Sequence, residues 1–229
     1  MNYVTDLGQT ITEEEMQKIR IAIRENKQTW TSDEEYWAKE KTSPKYWIGS
    51  PVMFPLHNSY RFIPLYRKLR SKSESFLNEY SLSSKVLPAV SKFFNKPLEQ
   101  LAGSSDPGFE VYSSYNGKNN YWDSYEFHVD SCLVDYWDEL DFDPKDKCTL
   151  DDIYACITPI ELPIFGKGTE LEYQTPEGVQ RTTYQLGHTY VWKSSMLHRP
   201  TYVELSEDEL RICFISFFIL KPDRLLYYI

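Results

Sequence analysis

The stretch YEFHVDSC, residues 125–132, sets a histidine and an aspartate one residue apart in a run with the alternation of a β-strand. Side chains two apart in a strand leave on the same face. His128 and Asp130 therefore project together, while Phe127 and Val129 project to the other side. If the apolar side packs on neighbouring elements, the imidazole and carboxylate point into the space the strands enclose. A lone pair of this kind fits a satisfied hydrogen bond equally well, so its meaning depends on the rest of the chain.

Outward from this segment, the period changes from helical to two after Gly103, interrupted by the acidic segment at residues 135–152. GFEVYSSY, YEFHVD, DIYACITPIEL, GTELEYQT, GVQRTTYQL, TYVWKSS and LRICFISFFIL are short strand candidates separated by Gly, Pro and Asp clusters. Such spacing predicts an antiparallel sandwich or barrel. The first hundred residues read as mainly helical. TEEEMQKIRIAIREN opens with a capping box of Thr12 and Glu15 and carries Met16, Ile19, Ala22 and Ile23 on one face. SDEEYWAKE repeats the opening with Ser32 and Glu35, and PLYRKLRSKSESFLNEY and KVLPAVSKFF add two amphipathic candidates. The expected class is α+β. A helical region over residues 1–103 supports a β core over 104–229, in one folded domain overall.

Composition narrows the function. The 229 residues are 41% hydrophobic and 26% charged, enough for a sizeable core, and 16% aromatic with 18 Tyr and 6 Trp. A net charge of −9 argues against a nucleic-acid backbone as partner. No apolar run approaches the roughly 20 residues that span a bilayer, and MNYVTDLGQTITEEE has no signal-peptide pattern. Cys132, Cys148, Cys156 and Cys213 lack CxxC spacing, so free thiols in a reducing, cytoplasmic setting are expected.

The segment GHTYVWKSSMLHRPTYVELSEDELRICFISFFIL, residues 187–220, supplies His198 and, thirteen positions on, Arg211. His128, Asp130 and His198 make two imidazoles and a carboxylate. That donor set suits non-haem Fe(II) and leaves positions open for further ligands. Zinc accepts the same donors, so the metal does not follow from ligand types alone. Arg211 opens an otherwise apolar strand, where an unpaired charge is costly, so an anionic partner is expected. A planar guanidinium grips a carboxylate bidentately. A small dicarboxylate bridging from the metal to Arg211 satisfies both; an ion pair with Glu126 or Glu170 is the bland alternative.

The order H-x-D…H-x12-R, with GHTYVWKSSMLHR before the second histidine and RICFISFFI after it, resembles the Fe(II)/2-oxoglutarate-dependent dioxygenases over roughly residues 109–220. The resemblance implies a double-stranded β-helix (jelly-roll, cupin-like) core. It implies His128, Asp130 and His198 as iron ligands and Arg211 as partner of the distal 2-oxoglutarate carboxylate. It also implies O2 as the second co-substrate, with succinate and CO2 as co-products of a hydroxylation. Asp130 fills the ligand position that halogenating relatives leave small. One departure is Cys213, where many members carry a serine that helps hold the carboxylate; a thiol is a weaker donor. Tyr115, in VYSSYNG, is the candidate to take over that task.

Substrate class is less legible. A small molecule, such as a free amino acid or a metabolite derived from one, is favoured over nucleic acid. DYWDELDFDPKDKCTLDD, residues 135–152, carries eight carboxylates against two lysines and tilts the expectation to a cationic substrate. Arg199, beside the distal histidine, suggests a substrate carboxylate. The competing readings are a non-catalytic cupin-like metal- or carboxylate-binding protein, a protein-residue hydroxylase, and a zinc hydrolase with Glu126 as general base.

Overall fold

The computed structural model describes residues 3–32, 45–49, 72–102, 104, 107–113, 127–135, 137, 142–164, 168–201 and 203–228. In chain order the strands are β1 Val4–Gln9, β2 Thr31–Ser32, β3 Lys45–Ile48, β4 Leu98–Gln100, β5 Gly108–Ser113 and β6 Ile153–Glu161. They continue with β7 Glu170–Thr175, β8 Gly178–Thr183, β9 His188–Lys193, β10 His198–Pro200, β11 Leu210–Leu220 and β12 Leu225–Tyr228. The helices are α1 Glu13–Glu25, α2 over 72–80, α3 Ser83–Phe94 and the single turn α4 Cys132–Asp135.

Two sheets form. The larger runs β1–β9–β6–β11–β5–β3–β2, with β12 beside β11 and β4 beyond it; the smaller is β10–β7–β8. Neighbours are antiparallel except β12 with β4. The smaller sheet packs its inward residues Leu171 and Tyr173 on the larger, giving a double-stranded β-helix. The fold follows from alternation along β11. Ile212, Phe214 and Phe218 enter an outer core with α1 and α3, whereas Cys213, Ile215, Phe217 and Ile219 enter the inner core between the sheets.

α1 is the helix the capping box predicts. The Thr12 hydroxyl accepts from the Glu15 amide, the Glu15 carboxylate accepts from the Thr12 amide, and Met16, Ile19, Ala22 and Ile23 are buried. Burial of each larger apolar side chain contributes about 1.5–3 kcal/mol. Lys85 of α3 bonds Glu15 at 2.9 Å and ties the two helices together. Of the helix expected at SDEEYWAKE only Ser32, the last residue of β2, is described; the rest lies outside the described residues, as does Gly103.

Two differences from the sequence reading are informative. The N-terminal region also contributes strands, and β1 forms the sheet edge against β9. Its sequence VTDLGQ hides the alternation because the register shifts at a bulge where Gly8 has φ +85°. Six of the seven strand candidates are strands, but in YEFHVD the pairing among described residues is a single bridge at His128. Cys148, Cys156 and Cys213 are free, as expected, and burial pushes the Cys156 thiol up to about 12 and Cys148 up to about 11. No helix among the described residues is long and apolar enough to cross a membrane.

Candidate functional site

His128 and His198 meet as an antiparallel bridge, each backbone amide donating to the other's carbonyl at 3.0 Å. Two positions on, the Asp130 amide donates to the Ser194 carbonyl at 3.0 Å, so this segment is anchored to the loop between β9 and β10. These bonds bring one donor atom from each of His128, Asp130 and His198 within 4.8 Å of one another. His198 Nε2 lies 3.5 Å from Asp130 Oδ2, and His128 Nε2 lies 4.0 Å from Asp130 Oδ1.

The His198 ring is oriented by its other nitrogen. Nδ1 lies 2.8 Å from the Met196 carbonyl, an acceptor only, so Nδ1 donates and Nε2 is the nitrogen turned toward Asp130 and left to ligate a metal. Trp192 stacks edge-on at 5.4 Å and fixes the other side of the ring. The side chains of His198 and Asp130 are 5% and 7% exposed, whereas His128 is 48% exposed, so access is from the His128 side. The donor set fits a divalent metal. Bonds of about 2.0–2.2 Å put neighbouring donors about 3 Å apart, and the 3.5 and 4.0 Å separations reach that by small side-chain rotations.

Arg211 is 1% exposed, as its place in an apolar strand demands. It has a protein counter-ion, and this is Glu110 rather than the Glu126 or Glu170 the sequence suggested. Arg211 Nη1 donates to Glu110 Oε2 at 3.0 Å and Nε donates to the Gly168 carbonyl at 3.0 Å. Tyr112 lies beside both, its ring 5.2 Å from the guanidinium carbon and its hydroxyl donating to Glu110 Oε1 at 3.3 Å. Burial opposes the charge on Arg211, but Cys213 and Glu110 outweigh it and hold the guanidinium above its ordinary pKa. Burial also raises the Tyr184 hydroxyl, which sits in the field of Arg211.

Thus His128, Asp130 and His198 come together, and Arg211 and Cys213 are buried on the inward face of β11. Tyr115 and Glu126 lie outside the described residues. Glu170 bonds Thr183 at 3.0 Å instead. Arg199 donates to Glu172 at 2.6 Å and covers the Phe127 ring at 4.4 Å. Sequence reasoning missed Glu110, Tyr112, Trp192 and the Gly168 carbonyl. The signal for the first two was available: in GFEVYS, Glu110 and Tyr112 alternate with Phe109 and Val111, which join the outer core.

The described carboxylates of the acidic segment have local partners. Ser131 donates to Asp135 at 2.6 Å, the Lys145 amide to Asp143 at 3.0 Å and Ser195 to Asp151 at 2.9 Å. Arg224 holds Asp146 at 2.7 Å, and Thr149 Oγ1 donates to Asp152 at 2.7 Å. Asp138, Glu139 and Asp141 lie outside the described residues.

No known family profile matches the chain, and no curated protein matches it in sequence. Solved structures do resemble it. A prolyl hydroxylase from Trichoplax adhaerens, in complex with a hypoxia inducible factor oxygen degradation domain peptide fragment, aligns with a TM-score of 0.51 at 12% identity. The alignment covers 100% of this chain and 84% of the other. HygX from Streptomyces hygroscopicus, with nickel and 2-oxoglutarate bound, aligns with a TM-score of 0.50 at 9% identity, over 94% of this chain and 82% of the other. The chain has the double-stranded β-helix fold of these oxygenases.

Proposed function

We propose that this chain is an Fe(II)- and 2-oxoglutarate-dependent dioxygenase that hydroxylates a small molecule, a free amino acid or a metabolite derived from one. The observation that carries the reading is the convergence of His128, Asp130 and His198 donor atoms within 4.8 Å, beside the inner core of a double-stranded β-helix, whose Trp192 packs against His198. A facial set of two histidines and one carboxylate leaves metal positions for co-substrate and O2. Nickel and 2-oxoglutarate bound to HygX, which shares the fold, support the choice of co-substrate.

The iron would supply the oxidising chemistry, in which 2-oxoglutarate loses CO2 to become succinate and the two atoms of O2 end in succinate and in the hydroxylated product. The protein's part is binding and placement. Met196 and Trp192 keep the His198 lone pair aimed at the metal position. Asp130 contributes the anionic donor. Arg211 is the group for the far carboxylate of 2-oxoglutarate, with Cys213 beside it and Tyr115 the upstream candidate for a hydroxyl donor. Ile157, Leu171 and Ile215 give the interior apolar walls that exclude water.

Asp146 is paired with Arg224, whereas Asp135, Asp143, Asp151 and Asp152 accept from uncharged donors and keep their charge, so a cationic preference would draw on them as well as on Asp138, Glu139 and Asp141. The testing experiment loads the protein with Fe(II) without oxygen, admits air and 2-oxoglutarate, and follows succinate while free amino acids and short peptides are added in turn. Stimulation by one amino acid or its derivative is the expected result. Stimulation by peptides alone refutes the small-molecule part, and absence of succinate throughout refutes the enzyme.

A further inference from the structure

We infer that Glu110 is an internal competitor for Arg211 and thereby sets how tightly the co-substrate's distal carboxylate is held. The inference rests on the function proposed above.

The pair is built into the sheet. β5 and β11 run antiparallel with Cys213 opposite Glu110 and Arg211 opposite Tyr112, so Glu110 and Arg211 are diagonal neighbours on the inward face. Both side chains are withdrawn from water, Glu110 at 7% exposed and Arg211 at 1%. One Glu110 oxygen takes Arg211 Nη1 at 3.0 Å and the other takes the Tyr112 hydroxyl at 3.3 Å. Gly168 takes Arg211 Nε at 3.0 Å. The formal charges of Arg211 and Glu110 sum to zero.

An arriving dicarboxylate therefore meets a neutralised guanidinium rather than a bare cation. It must either displace Glu110 from Nη1 or dock beside it. In the first case the Glu110 carboxylate loses its cation in a site withdrawn from water. In the second, two carboxylates crowd one guanidinium, and like charges at short range in low dielectric repel strongly. Both routes subtract from affinity. The resident carboxylate also has a use, since it spares Arg211 an uncompensated buried charge before the ligand arrives.

A supporting role for Glu110 predicts the opposite sign. If the carboxylate served only to aim Arg211 at the ligand, removing its charge would slacken the guanidinium and weaken binding. The test is calorimetric titration of 2-oxoglutarate into Ni(II)-loaded protein, where no turnover occurs, for the wild type, Glu110→Gln and Glu110→Asp. Glu110→Gln should bind about tenfold more tightly or better, a gain of about 1.4 kcal/mol. Its thermal midpoint should be lower without ligand and should rise more on adding it. Glu110→Asp keeps the charge but withdraws it by one methylene, and should bind at least twofold more tightly. That comparison stands even where the Gln protein does not fold. Unchanged or weaker affinity in the variants overturns the inference and leaves the proposed function intact. Absence of 2-oxoglutarate binding by any of the three Ni(II)-loaded proteins overturns both.

Discussion

His128 and His198 exchange both of their backbone hydrogen bonds, each at 3.0 Å, so the spacing of two metal-ligand candidates is made by the main chain. A pair bonded in this way holds its Cα atoms about 5.5 Å apart. The imidazoles then need only to choose rotamers, and their ring centroids already lie 4.7 Å apart.

Because the backbone makes that geometry and the His128 side chain is 48% exposed, His128→Ala should separate metal binding from folding. Stability should change by less than about 1 kcal/mol, as for other substitutions outside the core. Affinity for Ni(II) should fall by about 100-fold or more, beyond the 10–100-fold usual for losing a group that merely supports a ligand. Paired metal titration and denaturant unfolding check this. A protein that binds Ni(II) normally after the substitution contradicts the ligand assignment.

Gly168 offers a second handle on the interior. Its φ is +107°, and a Cβ there would come 2.7 Å from Val203 Cγ2. Its carbonyl receives Arg211 Nε. Gly168→Ala should cost about 1–3 kcal/mol of stability through backbone strain and should also weaken 2-oxoglutarate binding by moving an Arg211 partner. Denaturant unfolding together with ligand titration reads both effects. A destabilised protein with wild-type affinity would show that the carbonyl does not position the guanidinium.

The α1 cap gives a pH dependence. Bonds from Lys85 and from the amide and hydroxyl of Thr12 hold the Glu15 carboxyl at about 2, below its ordinary 4.5. A depressed carboxylate contributes stability that is fully present above 4.5 and is lost as pH falls toward 2. The Lys85 side chain is half exposed, so solvent screening reduces the contribution to about 1 kcal/mol. Glu15→Gln should be less stable by that amount at neutral pH, and the gap should close over this window. A gap that stays constant down to the acid limit contradicts it.

Local signals made much of this legible in sequence. The period of two in YEFHVD, the apolar run after Arg211 and the Thr12–Glu15 cap each require only neighbours along the chain. Glu110 is different. It stands 101 positions from Arg211, and only the pairing of β5 with β11 makes them neighbours. Periodicity shows that Glu110 and Arg211 each face inward but carries no register between distant strands. Arg199 shows the same limit: its ion pair with Glu172 follows from the β10–β7 register, in which those two residues are directly opposite.

The central claim is that His128, Asp130 and His198 hold the iron that 2-oxoglutarate joins. Its most direct measurement is iron content and succinate yield, after anaerobic loading and admission of air with 2-oxoglutarate, in the wild type and in His198→Ala. One iron per chain and succinate from the wild type, with both lost in His198→Ala, is the predicted result. Equal iron content in the two proteins, or a wild type that holds iron and yields no succinate, would contradict it.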